Sequence, residues 1–125
     1  MSMLIFCERR KLNMPVVVIY GVPGGESSVQ INGLFRPGIR EAIADIPQLK
    51  CTVWDIDVHI LRDITENHRR ENIDVVVKLY EKPERTEEVL NTMCEAVIQK
   101  VKEFRFAKVV DVDCYWEFLN PKPSR

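Results

Sequence analysis

The sequence predicts an α+β fold of two layers, a four-stranded sheet with two helices on one face, built from a duplicated βαβ unit. Three observations predict it. A chain of 125 residues, 46% hydrophobic and 30% charged, is one ordinary domain, long enough to bury roughly two-thirds of the surface its unfolded form exposes. Its apolar pattern runs strand, helix, strand twice over, in repeats spanning about 15–61 and 73–118. The halves also echo each other: Val16-Val17-Val18 answers Val75-Val76-Val77, and Val53-x-Asp55-x-Asp57 answers Val109-x-Asp111-x-Asp113. Each βαβ crossover is right-handed, so both helices fall on one side and the other side needs water or a partner.

The first strand is the apolar run Pro15 to Tyr20, stopped by the breakers of Gly21-Val-Pro-Gly-Gly25. Ser27 with Gln30 offers a capping box, and Val29, Ile31, Leu34, Phe35, Ile39, Ala42, Ile43 and Ile46 keep helical spacing. Pro37-Gly38 interrupts that stretch, giving either a kink or a short first turn ahead of a helix with Pro37 near its start. Pro47 closes it. Cys51 to Leu61 alternates, with Trp54, Ile56, Val58 and Ile60 on one face and Val53, Asp55, Asp57 and His59 on the other. The polar stretch Arg62 to Asn72 joins the halves. Ile73 to Tyr80 is the third strand, and Glu81 to Arg85 the turn after it. Thr86 caps the second helix, with Glu87 and Glu88 in its first turn and Lys100 and Lys102 near its last. Val89, Leu90, Met93, Ala96, Val97, Val101 and Phe104 form its buried stripe, and Lys108 to Phe118 is the last strand.

Composition excludes several functions. With 18 basic against 19 acidic side chains, no nucleic acid is expected as a partner, because phosphate binding needs clustered, uncompensated Lys and Arg. The longest apolar run, Met14 to Pro23, is about half of what a membrane span requires, so no membrane partner is expected. Cys7, Cys51, Cys94 and Cys114 are scattered without C-x-x-C or zinc spacing, and the chain shows no secretory signal, so reduced thiols and a cytoplasmic location are expected. Cys51, Cys94 and Cys114 read as small core residues. The pairs Asp55/Asp57 and Asp111/Asp113 invite a hard cation. Without further oxygen ligands at fixed spacing they read as hydrated faces, and no metal is expected. His59 and His68 have no nucleophile beside them, so a hydrolase triad is unsupported.

Residues 1–13, MSMLIFCERRKLN, share no periodicity with the rest of the chain. Glu8-Arg9-Arg10 can be the translation of a bacterial ribosome-binding sequence, with Lys11 to Asn13 as the spacer before a start at Met14. The expectation is an over-called start, with a single domain over 14–125; a genuine extension is the alternative. Removing the segment moves the formal charge from −1 to −3, since it carries Arg9, Arg10 and Lys11 against Glu8.

Met14-Pro15 opening an apolar strand, with the βαβ unit then repeated, resembles the tautomerase superfamily, in particular the two-unit members such as malonate semialdehyde decarboxylase and macrophage migration inhibitory factor. Lys82-Pro83-Glu84-Arg85-Thr86-Glu87-Glu88 is similar to the decarboxylase's loop-to-helix segment, and Trp116-x-Phe118 to its Trp-x-Phe. The resemblance covers Pro15 to about Phe118. It implies a tautomerase-like homotrimer acting on a small keto or unsaturated carboxylic acid as isomerase, decarboxylase or hydratase, with no cofactor.

It also implies roles. A free α-amine has a pKa of about 8, and an apolar pocket with nearby cations lowers it toward neutrality, where it can take a proton alpha to a carbonyl and return it elsewhere. Pro15 is the expected catalytic base and acid, provided that it is the mature N-terminus; behind residues 1–13 its nitrogen is an amide without basicity. Arg85 is expected to clamp the substrate carboxylate bidentately, Lys82 to act as a point charge, and Tyr80 to orient a substrate oxygen. Glu117 is a candidate water activator, and Trp116 and Phe118 candidate pocket walls. Each has a plainer reading: a strand start for Pro15, a solvated turn for Lys82 and Arg85, core or subunit contacts for the aromatics. The turn Pro23-Gly24-Gly25-Glu26 lacks the arginine of the single-unit tautomerases, leaving compensation to Arg36, Arg40 or a neighbouring subunit. The competing function is a non-catalytic tautomerase fold or a ferredoxin-like oligomeric binding module; strand order separates the two architectures.

Overall fold

The two valine triplets pair with each other. In the computed structural model, which describes residues 15–23, 28–63, 72–104 and 111–119, strand β1 (Val16–Pro23) runs antiparallel to β3 (Asn72–Tyr80), with Val17 opposite Val77 and Val18 opposite Val76. Strand β2 (Asp57–Asp63) lies parallel to β1, and β4 (Asp111–Leu119) parallel to β3. The order is β2-β1-β3-β4: two parallel βαβ pairs side by side, not an interleaved antiparallel sheet. Helix α1 (residues 28–44) leads from β1 to β2 and α2 (Glu87–Lys102) from β3 to β4.

Strand alternation divides the sheet. Val17, Ile19, Val75, Val77 and Leu79 are fully buried under the helices with Phe35, Ile39, Ile43, Leu90, Met93, Val97 and Val101. Phe35 of α1 and Phe104 beyond α2 meet edge to face, with ring centroids 5.0 Å apart. The other face carries Val16, Val18 and Val76 half-buried and Tyr20, Leu61 and Tyr115 exposed, among Lys78, Asp113 and Glu117. The helices leave this face uncovered.

Two expectations resolve at the first crossover. Helix α1 is continuous, starting at Ser28–Gln30, passing through a π-helical turn at Ile31–Phe35 and ending as Arg36–Ala44. Arg36 N–H donates back to the Ile31 carbonyl, and Pro37 sits at the start of the regular segment, where its missing N–H costs least. The second concerns Cys51 to Leu61, which is not one strand. Val53–Asp55 forms a 3-10 turn, with the Asp55 carboxylate accepting from Thr52 N–H at 2.9 Å and Thr52 Oγ1 at 3.1 Å. Trp54 consequently points to solvent, 78% exposed, and Asp55 does not share a strand face with Asp57. Among the described residues no three His, Cys, Asp or Glu side chains gather to hold a metal.

The second crossover follows its sequence. Thr86 accepts from Val89 N–H at 3.3 Å as the N-cap of α2, whose first turn holds Glu87 and Glu88 and whose last holds Lys100 and Lys102. Residues 1–13, the 24–26 turn, the Ser27 cap, His68 and the Val109 position of the repeat lie outside the described residues, as does Cys7.

Candidate functional site

The turn after β3 builds the site. Arg85 N–H donates to the Lys82 carbonyl at 2.9 Å, closing a turn around Pro83 and Glu84 that folds Arg85 back under the sheet's end. Only 4% of Arg85 is exposed. Its Nη1 donates to the Tyr80 carbonyl at 2.8 Å and its Nη2 to the Leu49 carbonyl at 3.1 Å, while Nε is buried without a partner among the described residues. The fork expected to grip a substrate carboxylate is thus engaged with the chain's own backbone.

Above it lies an open cleft of about 740 Å³, lined by Tyr80, Glu81, Lys82, Arg85, Glu87, Trp116 and Phe118 among others. Five residues singled out in the sequence therefore meet in one depression. Trp116 and Phe118 lie on one side of β4 with ring centroids 5.3 Å apart, and Trp116 Nε1 donates to Asn91 Oδ1 of α2 at 3.3 Å, fixing the wall. Lys82 makes no ion pair or hydrogen bond through its ammonium among the described residues, and Lys50, which pairs with Glu84 at 3.4 Å, stabilises the turn's outer side. Glu81 and Glu87 oppose the two cations, so the cleft is of mixed charge.

Pro15 is buried immediately before β1, its carbonyl accepting from Asp57 N–H at 3.1 Å. Val16 opposes Lys78, so the antiparallel register carries Pro15 to the level of Leu79, beside Tyr80 and at the cleft's end of the sheet. It is not itself among the lining residues. Glu117 is not there either. Strand alternation turns it away from Trp116 and Phe118 to the uncovered face, where its carboxylate lies 3.9 Å from Lys78 Nζ. Arg36 and Arg40 are also elsewhere: they donate to the carbonyls of Val58 and Ile56, and Arg36 contacts Asn32 as well.

No protein-family model and no curated protein sequence matches the chain. Solved structures do match. A fused 4-OT solved as an asymmetric trimer aligns with a TM-score of 0.65 at 11% identity, covering 83% of this chain and 85% of that one. Pt0534 inactivated by 2-oxo-3-pentynoate aligns with a TM-score of 0.63 at 16% identity over 83% and 85%. A 5-carboxymethyl-2-hydroxymuconate delta-isomerase gives 0.59 at 12% identity over 87% and 83%. The fold is the tautomerase-like one of these structures.

Within this tautomerase fold one residue at the site was not singled out by the sequence. Cys51 reads there as a core residue, yet its Sγ lies 3.9 Å from Arg85 Nη2 and donates to the Leu49 carbonyl at 3.3 Å. Burial pushes its thiol up; the cations of Arg85 and Lys82 pull the other way and Asp55 adds to the rise. No linear signal announces the contact, since 34 residues separate Cys51 from Arg85. Among the described residues no helix is long and apolar enough to cross a membrane.

Proposed function

We propose that the protein is a tautomerase-like enzyme acting on a small keto or unsaturated carboxylic acid, with Pro15 as its mature N-terminus and as general base and acid. The observation that carries this reading is the register that brings the start of β1 level with the end of β3, where Tyr80, Lys82, Arg85, Trp116 and Phe118 surround one cleft. An amine at that point is shielded from bulk water, and neighbouring cations disfavour its protonated form, both of which lower its pKa toward 7. Isomerisation, decarboxylation and hydration all begin from such proton control.

The residues divide the work. Lys82, free of ion pairs among the described residues, is the carboxylate's contact. Arg85 contributes its charge from beneath and shapes the turn, with Nε as its remaining donor. Tyr80 orients the substrate, and Trp116 and Phe118 limit hydration. Glu117, on the opposite face, has no part in it. The uncovered face, with its apolar strip, is the proposed homotrimer interface; the fused 4-OT structures are themselves trimers. A cytoplasmic location completes the reading.

One observation favours a second reading, a non-catalytic oligomeric binding module of the same fold: Arg85 spends its two terminal nitrogens on backbone carbonyls. Enol–keto assays with phenylpyruvate separate the two. Protein beginning at Pro15 is expected to turn over, whereas Pro15→Ala and a chain retaining residues 1–14 fall to background. Equal rates in all three would overturn the Pro15 mechanism, and N-terminal sequencing of natively expressed protein tests the start.

A further inference from the structure

Two arginines of α1 carry positive charge that no acidic side chain answers among the described residues. Arg36 and Arg40 stand one helical turn apart on one face of the helix, about 6 Å along its axis. Arg40 Nε donates to the Ile56 carbonyl at 3.0 Å and Arg36 Nη1 to the Val58 carbonyl. Those carbonyls are two residues apart on extended chain, about 6.6 Å. Helix and strand spacing therefore agree, and the two guanidinium groups are held side by side beyond the edge of β2. Each feels the other's charge: burial and, after it, the Arg40 cation hold Arg36 below the ordinary guanidinium range. The carboxylates nearest in sequence are committed elsewhere. Asp55 accepts from Thr52, Asp57 lies on the uncovered side of the sheet opposite to buried Val58, and Glu41 lines the groove between the helices with Lys100 and Glu103. Neither arginine makes an ion pair among the described residues.

Their donors are not exhausted. Both terminal nitrogens of Arg40 are unengaged among the described residues. Arg36 places Nε and Nη2 on Asn32 Oδ1 at 3.3 and 3.2 Å and Nη1 on Val58, which leaves one N–H on each of its terminal nitrogens. Both side chains are half-buried, so these N–H groups reach solvent from a fixed base. We propose that Arg36 and Arg40 form a binding site for a phosphate dianion, either inorganic phosphate or the phosphoryl group of a small ester, at the edge of β2. Charge and shape both select it. Two uncompensated cations call for a dianion. A tetrahedral group offers separate oxygens to the two forks, each accepting at about 2.8 Å, and so bridges the gap between them. A carboxylate would fill one fork and leave the other unbalanced. The backbone carbonyls and Asn32 hold the arginines in place beforehand, which lowers the ordering cost of binding. Strands β1 and β3 lie between β2 and the strand that carries Trp116, so the site is separate from the cleft and does not depend on what Pro15 does.

The test titrates the full chain, with nitrogen-15 in its arginine side chains, near pH 7.5, where phosphate is mostly the dianion. Sodium phosphate and glycerol phosphate are compared with sodium chloride of matched ionic strength. The Nε–H resonances of Arg36 and Arg40 are expected to move together, with a Kd on the order of 1 mM, while that of Arg85 stays. At about 10 mM either ligand should raise the melting temperature roughly 3 to 6 °C above the chloride control. An effect of the ester larger than that of phosphate assigns the site to esters, and an equal or smaller one to free phosphate. Arg40→Lys keeps the charge but not the fork and should weaken binding about fivefold; Arg40→Gln should weaken it about tenfold or more. Arg36→Lys should weaken it as Arg40→Lys does, and a folded circular-dichroism spectrum of any one of the three suffices to interpret the loss. The proposal is overturned by resonances that respond to chloride as they do to phosphate, by a response at Arg85 in place of Arg36 and Arg40, or by undiminished binding in the folded variants.

Discussion

Arg85 donates to the backbone carbonyl of Leu49 at 3.1 Å, joining the turn that enters the second helix to the turn that leaves the first. With the bond to the Tyr80 carbonyl at 2.8 Å, one guanidinium ties the end of β3 to a turn 36 residues away from Arg85 in sequence. Its near-complete burial makes this a structural duty as much as an electrostatic one, since a buried carbonyl that loses its donor keeps its desolvation cost.

Arg85→Met is therefore expected to destabilise the fold by about 2 to 4 kcal/mol, because it takes a charged donor from the carbonyls of Tyr80 and Leu49 at once and leaves Leu49 only the weak Cys51 thiol donor. Arg85→Lys should recover only part of this, as an ammonium cannot reproduce the planar fork. Equilibrium urea unfolding measures both; a loss below about 0.5 kcal/mol for Arg85→Met would mean the carbonyls find water instead.

Gly21 sits at a register shift in β1 with φ of +94°, and a Cβ there would come within 2.5 Å of the Asn72 carbonyl oxygen. Both the left-handed backbone and the backbone atom in the way oppose a side chain. Gly21→Ala should cost about 2 to 3 kcal/mol or more in the same unfolding assay, with loss of the bulge visible as shifted amide resonances on either side of it.

What was legible in the sequence is what depends on neighbours along the chain. The valine triplets, the Thr86 cap and the stripe of α2 are local patterns, and each meets its expected environment. The turn at Val53–Asp55 was hidden because its residues alternate as a strand would, while the Thr52 and Asp55 side chains offer the backbone a tighter curl that periodicity does not register. The gathering of Tyr80, Lys82, Arg85, Trp116 and Phe118 was legible through motif resemblance. Arg85's partners were not: Leu49 and Cys51 come to it through sheet order, a long-range property that spacing along the chain does not contain.

Cys51 gives a pH-dependent test of this junction. Burial raises its thiol and the Arg85 cation partly opposes the rise, so iodoacetamide labelling of folded protein should reach its half-maximal rate above the ordinary thiol value of about 8.5. Removing the cation with Arg85→Met should move that midpoint higher still. The linkage has a definite sign: the folded thiol keeps its proton where the unfolded one ionises. The stabilising preference is full below the unfolded pKa and is lost as pH rises toward the folded one. Cys51→Ala should flatten that alkaline decline, as read from urea midpoints across the alkaline range.

The last prediction concerns the sheet's edge. Among the described residues strand β2 has β1 on one side only, and Asp57 N–H bonds toward β1 at Pro15, so the carbonyls of Ile56 and Val58 face outward. Arg40 Nε caps the first at 3.0 Å and Arg36 Nη1 caps the second. An unpaired edge is a template for another strand, and two arginines projecting from α1 occupy its acceptors. Replacing both with alanine should cost about 1 to 2 kcal/mol in stability, since each carbonyl is returned to partial solvation. It should also promote association at high concentration, seen as species larger than the parent assembly in size-exclusion chromatography with light scattering. An unchanged size distribution across a hundredfold concentration range would assign these arginines to stability alone.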